Sequence, residues 1–280
     1  MQPFDVSRGV ELTVLAGWNQ VPADWLRMLT LDPEGCFLAE AEPGGEIFGT
    51  TVCCRFGPVG WIALVLVDEQ QRGRGIGGSL MRSALQFADQ SGVTTLRLDA
   101  TELGRPLYEK LGFVTQFELA RWGGVPKCRT RAPGESSVRR GATLSSDCLA
   151  LDRRATGTDR AKFLSQLAAT YPANVFTTED TLTGESSTTG LLLMRPGRLA
   201  WQIGPCAART DSALALFAAA LAEHPGEPVF ADIPVSNISL SRLAEQSGLT
   251  VQRRLLRMCR GTGVIEDFNW FQLSSGPELG

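Results

Sequence analysis

The sequence predicts an α/β (α+β) chain built as two similar halves. Three observations predict it. An apolar strand-like run, Trp61–Val67, leads through a glycine-rich stretch into a helix-like segment, Ser79–Ala88. An alternating run, Thr95–Ala100, then reads as a second strand. The same order of strand, helix and strand recurs later in the chain, in Trp201–Arg209, Asp211–Ala222 and Pro228–Ile233.

The elements follow in order. Near the N-terminus, Trp25, Leu26, Met28 and Leu29 suit a helix with one buried face. After Trp61–Val67 comes Arg72-Gly73-Arg74-Gly75-Ile76-Gly77-Gly78. A strand, a glycine-rich turn and a helix start gather free backbone N–H groups in one small volume, and the helix dipole adds positive potential. Such a place holds a phosphate or pyrophosphate. Ser79 is a candidate helix cap or phosphate contact. The Gly/Pro/Ser/Arg-rich stretch over 126–142 reads as a linker, giving units 1–125 and 143–280.

The two halves match at several places. Thr101 to Phe113 aligns with Asn237 to Leu249, each with a Gly-then-apolar ending, and Gly60-Trp61 aligns with Ala200-Trp201. Forty residues separate Trp61 from Thr101, but only thirty-six separate Trp201 from Asn237. The shortage falls where the glycine loop would be. The second half is therefore expected to lack a phosphate site, which predicts one such ligand per chain.

Composition narrows the function. The chain has 280 residues and a net charge of −3, with no basic stripe. No nucleic acid partner is expected. No long apolar run or leader pattern appears, so no membrane partner is expected and a cytoplasmic location is the default. Seven cysteines without a Cys-x-x-Cys pair read as reduced, mostly core thiols, and no metal site is expected. The only histidine, His224, lies in a Pro/Gly-rich turn, so acid–base work falls to Asp, Glu, Tyr, Cys or water.

Which phosphate loop this is follows from spacing. A nucleoside triphosphate loop needs a Gly-Lys pair that is absent. The dinucleotide fingerprint needs a third glycine that is out of place here. Arg72, Gly75 and Gly77 instead resemble the acetyl-coenzyme A loop of the GNAT acetyltransferase superfamily. Leu107-Tyr108-Glu109-Lys110-Leu111-Gly112-Phe113 resembles its second signature. Gly17-Trp18-Asn19-Gln20, Asp24-Trp25, Gly204-Pro205, Asp232 and Arg257-Met258 are similar to a bacterial group with a second, C-terminal acetyltransferase-like domain.

The resemblance implies two tandem domains, each a mixed, splayed central sheet flanked by helices. It implies acetyl transfer from acetyl-coenzyme A to a primary amine of a small molecule or peptide, in a ternary complex. The pantetheine arm would pair with Val65 and Val67, and the Val65 N–H would face the thioester carbonyl. Ordinary strand packing of both side chains is compatible with this. The pyrophosphate would meet the backbone of 73–78, with Arg72 and Arg74 adding charge. Tyr108 would protonate the departing thiolate, with aromatic packing as the alternative. Thr101 stands where relatives place a cofactor-contacting Asn. Trp61 stands where some relatives place a Glu base, which leaves Asp99 as the carboxylate candidate, a turn-forming role being the alternative. Trp18, Asn19, Asp24 and Trp61 are the candidates for the acceptor end. A non-catalytic acyl-coenzyme A sensor or interaction module is the competing function, and a homodimer is one candidate state.

Overall fold

The computed structural model describes residues 1–127, 137–180 and 187–280. Cys128 and the Ala132–Ser136 part of the expected linker lie outside the described residues. The first half supplies helices α1 (Val6–Leu15), α2 (Pro22–Leu31), α3 (Ile76–Gln90) and α4 (Arg105–Lys110). Its strands are β1 (Cys36–Glu40), β2 (Ile47–Phe56), β3 (Val59–Val67), β4 (Thr95–Ala100) and β5 (Val114–Gly124). A short strand β6 (Val138–Arg140) follows, inside the stretch expected as linker.

The second half repeats the plan. Helices α5 (Ser146–Thr156) and α6 (Ala161–Thr170) precede β7 (Val175–Asp180), β8 (Ser187–Arg195) and β9 (Trp201–Ala208). Then come α7 (Thr210–Leu221), β10 (Val229–Pro234), α8 (Ile238–Gln246) and β11 (Thr250–Gly261). A last strand, β12 (Phe271–Leu273), has no counterpart in the first half.

Local chemistry explains the helix ends. Pro22 opens α2 with its ring-fixed φ, and Asp24 accepts from the Val21 N–H at 3.0 Å. In α3, Leu80, Ala84 and Ala88 recur at four-residue spacing and are buried with Met81 against β2 and β3. Asn237 caps α8 by accepting from Leu240 N–H at 3.1 Å, and Thr101 accepts from Gly104 N–H at 3.3 Å at the matching place.

The sheets of the two halves are one sheet. Its order is β1-β2-β3-β4-β11-β5-β10-β9-β8-β7-β6. The halves exchange strands: β11 inserts between β4 and β5, and β5 in turn lies against β10. Each exchanged strand brings an arginine to a buried aspartate. Arg257 of β11 holds Asp99 of β4, and Arg121 of β5 holds Asp232 of β10 at 2.8 and 2.7 Å. The mixed, helix-flanked sheet expected for each half is present, and the exchange fuses the pair.

The core is shared as well. Trp25 and Met28 of α2, with Leu12 of α1, pack in one cluster with Phe163, Leu164 and Leu167 of α6. Cys36, Cys53, Cys54, Cys148, Cys206 and Cys259 are buried free thiols. Burial pushes the Cys53 thiol up to about 12, so it stays protonated and unreactive.

Candidate active site

A cleft of about 640 Å³ opens where β3 and β4 part. The strands pair in parallel only at Val59–Thr95, Gly60–Leu96 and Trp61–Arg97. Beyond Trp61 they diverge. The cause lies on the other edge of β3, where a bulge sets Leu64 and Val65 opposite the single residue Thr51. Leu64 sits at φ +52°, a left-handed backbone costing a β-region residue about 1–2 kcal/mol. Thr50 Oγ1 donates to the Leu64 carbonyl at 2.8 Å and holds the bulge in place.

The glycine loop forms the mouth of this cleft. Gly75 sits at φ +81° and is the residue before α3, so the loop enters the helix through a conformation only glycine takes without strain. A Cβ there would meet nothing within 4 Å, so backbone angle, not space, requires glycine. At Gly77 a Cβ would sit 3.7 Å from both Leu107 and Val67, inside the cleft wall. Ser79 lies one turn inside α3 with its N–H on Gly75 O at 3.0 Å, so it is not the cap. Arg72 lines the cleft and donates through Nε to Val67 O at 3.3 Å. Val65, Val67, Gly73, Ile76, Gly78, Thr101 and Tyr108 line it too, whereas Arg74 is exposed outside the lining.

Tyr108 is 8 % exposed, set edge-on to Phe113 with ring centres 6.2 Å apart. Burial pushes its phenol up to about 12. It therefore carries its proton throughout the neutral range.

Asp99 reaches the same cleft but is not free. Arg257 Nε and Nη2 donate to its two oxygens at 2.5 and 3.0 Å. Burial pushes the Asp99 carboxyl up, and the Arg257 guanidinium opposes it. Arg257 also donates to Glu266, which Arg97 shares, and both guanidiniums lie over the Trp61 ring.

Of the four residues expected at the acceptor end, Trp18 lines the cleft. The other three do not line it, and each is held by a contact between the halves. Asn19 accepts from Leu199 and Ala200 N–H at 2.9 and 3.0 Å and donates to Ala200 O. Asp24 is fully buried between Arg27 and Arg195, at 2.7 and 3.1 Å. Trp61 is 4 % exposed and its indole N–H donates to Pro277 O at 3.2 Å. A smaller cavity beside Val65 is lined by two residues that were missed from sequence, Gln20 and Glu278. The second sits in an aperiodic C-terminal stretch that carries no pattern to find it by.

The second half builds a similar cleft and fills it. A bulge again sets two β9 residues, Gly204 and Pro205, opposite Leu193 of β8. Pro205 has no N–H to offer a ligand. β12 pairs with β9 at Ala207 and Cys206, and Ser274 bridges Asp232 of β10. The chain's own C-terminal strand thus occupies the splay.

Residues 11–113 match the model of the Acetyltransferase (GNAT) family, and residues 148–269 match that of the Acetyltransferase (GNAT) domain. The chain belongs to the GNAT acetyltransferase family. As a tandem GNAT chain it is, by family, an acyltransferase. It is 29 % identical over 243 residues to the uncharacterized N-acetyltransferase YitH of Bacillus subtilis (strain 168), covering 84 % of this chain and 81 % of that one. It is 24 % identical over 275 residues to holothin acyltransferase of Pseudoalteromonas sp. (strain SANK 73390), covering 96 % and 90 %. The crystal structure of a putative acetyltransferase from Pyrococcus horikoshii superposes with TM-score 0.82 at 21 % identity, covering 100 % of this chain and 94 % of that one. Both GNAT halves fall within these matches.

Proposed function

We propose that the chain moves an acetyl group from acetyl-coenzyme A to a primary amine of a small molecule, by direct attack in a ternary complex. One observation carries this reading. Val65, the glycine loop, Thr101 and Tyr108 line a single cleft at the splay of β3 and β4. Residues 1–125 are the cofactor-binding unit and 143–280 the degenerate one, whose cleft β12 fills.

The residues fit the co-substrate. The first N–H groups of α3 have no intrahelical partner and suit a pyrophosphate. The parted strands leave room for an extended pantetheine chain. Acetyl-coenzyme A supplies the activated acyl group. The Val65 N–H polarises the thioester carbonyl, and Tyr108 holds a proton for the departing thiolate. The amine nitrogen bonds to the carbonyl carbon as the C–S bond breaks. Its surplus proton leaves to water or to Asp99. A cytoplasmic setting without nucleic acid or membrane partners goes with this reading. Among the described residues no helix is long and apolar enough to cross a membrane.

A second reading, a non-catalytic acyl-coenzyme A sensor, draws on the Arg257 grip that closes Asp99. Thiol release measured against a panel of amines separates the two. Turnover on a primary amine supports the enzyme, and tight coenzyme A binding without turnover on any amine supports the sensor.

A further inference from the structure

Beside Val65 lies a second, small cavity of about 30 Å³ that shares Trp18, Val65, Asp99 and Tyr108 with the main cleft. Its remaining polar lining is Gln20 and Glu278. Gln20 is 2 % exposed; its Nε2 donates to Glu278 Oε2 at 2.9 Å, and its Oε1 has no partner. A buried amide oxygen left unpaired costs about 1–3 kcal/mol, so this one is built to accept a hydrogen bond from something else.

The charges around the cavity point the same way. Asp99 and Glu278 line it, while the guanidiniums that balance them, Arg257 and Arg195, do not. The cavity wall is therefore made of hydrogen-bond acceptors with their cations set behind. Its volume is that of about one water molecule, enough for an amino group and little more.

We propose that this cavity receives the nitrogen of the acceptor, with Gln20 Oε1 and the Glu278 carboxylate accepting its N–H bonds. The substrate class is then an unhindered primary amine, with CH₂ next to nitrogen. Secondary and α-branched amines are excluded by size. The second half acquires a function here, because Glu278 is its residue: it supplies acceptor recognition to a cofactor site in the first half. This inference rests on the amine acetyltransferase reading.

Two measurements test it. Gln20→Leu roughly keeps the volume and removes the acceptor oxygen together with the Nε2 donor to Glu278. It is expected to raise KM for the amine at least tenfold while KM for acetyl-coenzyme A stays within twofold. A role confined to folding would instead change both or lower Tm alone. On the unaltered protein, a linear amine is expected to outrun its α-methyl analogue at least tenfold in kcat/KM. Acetyl transfer that continues with unchanged amine KM in Gln20→Leu, or equal rates on the two amines, overturns the inference and leaves the proposed function standing. Coenzyme A binding without transfer to any amine overturns both.

Discussion

Arg257 grips Asp99 through both arms of its guanidinium, from a position 158 residues further along the chain. The two are cross-strand partners on β11 and β4, and neither is accessible to solvent. The exchanged strand thus places its guanidinium on the β4 aspartate that borders the cofactor cleft.

Removing the arginine alone strands Asp99, while Glu266 keeps Arg97. Arg257→Met is expected to destabilise the protein by about 3–5 kcal/mol, since Asp99 is left buried without its partner. Adding Asp99→Leu to that variant is expected to recover part of the loss. Urea denaturation of the single and double variants checks both statements.

Two glycines of the loop should separate backbone strain from occupied space. Gly75→Ala forces an alanine to φ +81° and is expected to lower stability by about 1 kcal/mol and coenzyme A affinity at least tenfold. Gly77→Ala meets only ordinary contacts at 3.7 Å, so stability is expected to hold while its methyl narrows the cleft and affinity falls. Calorimetric titration and melting curves distinguish the two patterns.

Tyr108→Phe is expected to cut kcat at least tenfold with KM for acetyl-coenzyme A little changed. It should also alter alkaline stability. The folded phenol titrates near 12 and an unfolded tyrosine near 10, so the unfolded state loses its proton first. The Tyr108 contribution is complete below about pH 10 and is lost as pH rises from there toward 12. Melting followed from pH 9 to 12 should show the unaltered protein losing stability relative to Tyr108→Phe only above about pH 10.

Asn19→Ala is expected to destabilise by about 2–3 kcal/mol, because it leaves backbone groups of Leu199 and Ala200 without their partner. Coenzyme A affinity should not move. A change in amine KM without a change in Tm would return Asn19 to the acceptor site.

Coenzyme A is expected to bind with a stoichiometry of one per chain. The second cleft has Pro205 on its bulge and holds β12. Calorimetric titration gives the number directly, and a value of two would require β12 to leave.

Much of the site was legible because it is local. Trp61–Val67, the glycine loop and Tyr108 lie within fifty residues, and each follows a backbone rule that sequence spacing reports. The repeat was legible through Thr101 and Asn237, which do the same job at two helix starts. The strand exchange was not. Any strand of the right alternation fits beside β4, and nothing in Leu255–Cys259 says that its neighbours are Asp99 and Phe117. The contacts of the expected acceptor end were hidden for a related reason. Asn19 and Asp24 look like ligand groups in sequence, but the second half saturates both.

The strand exchange also sets an order of events during synthesis. When β5 has been made, the β4 edge is still open, because its neighbour β11 lies more than a hundred residues ahead. A nascent chain of that length carries the whole glycine loop and an unpaired sheet edge, the kind of surface that invites aggregation or capture by a chaperone. Such long-range pairing also predicts slow folding. The cofactor half comes first in sequence, but its sheet is completed only after most of the second half has been made.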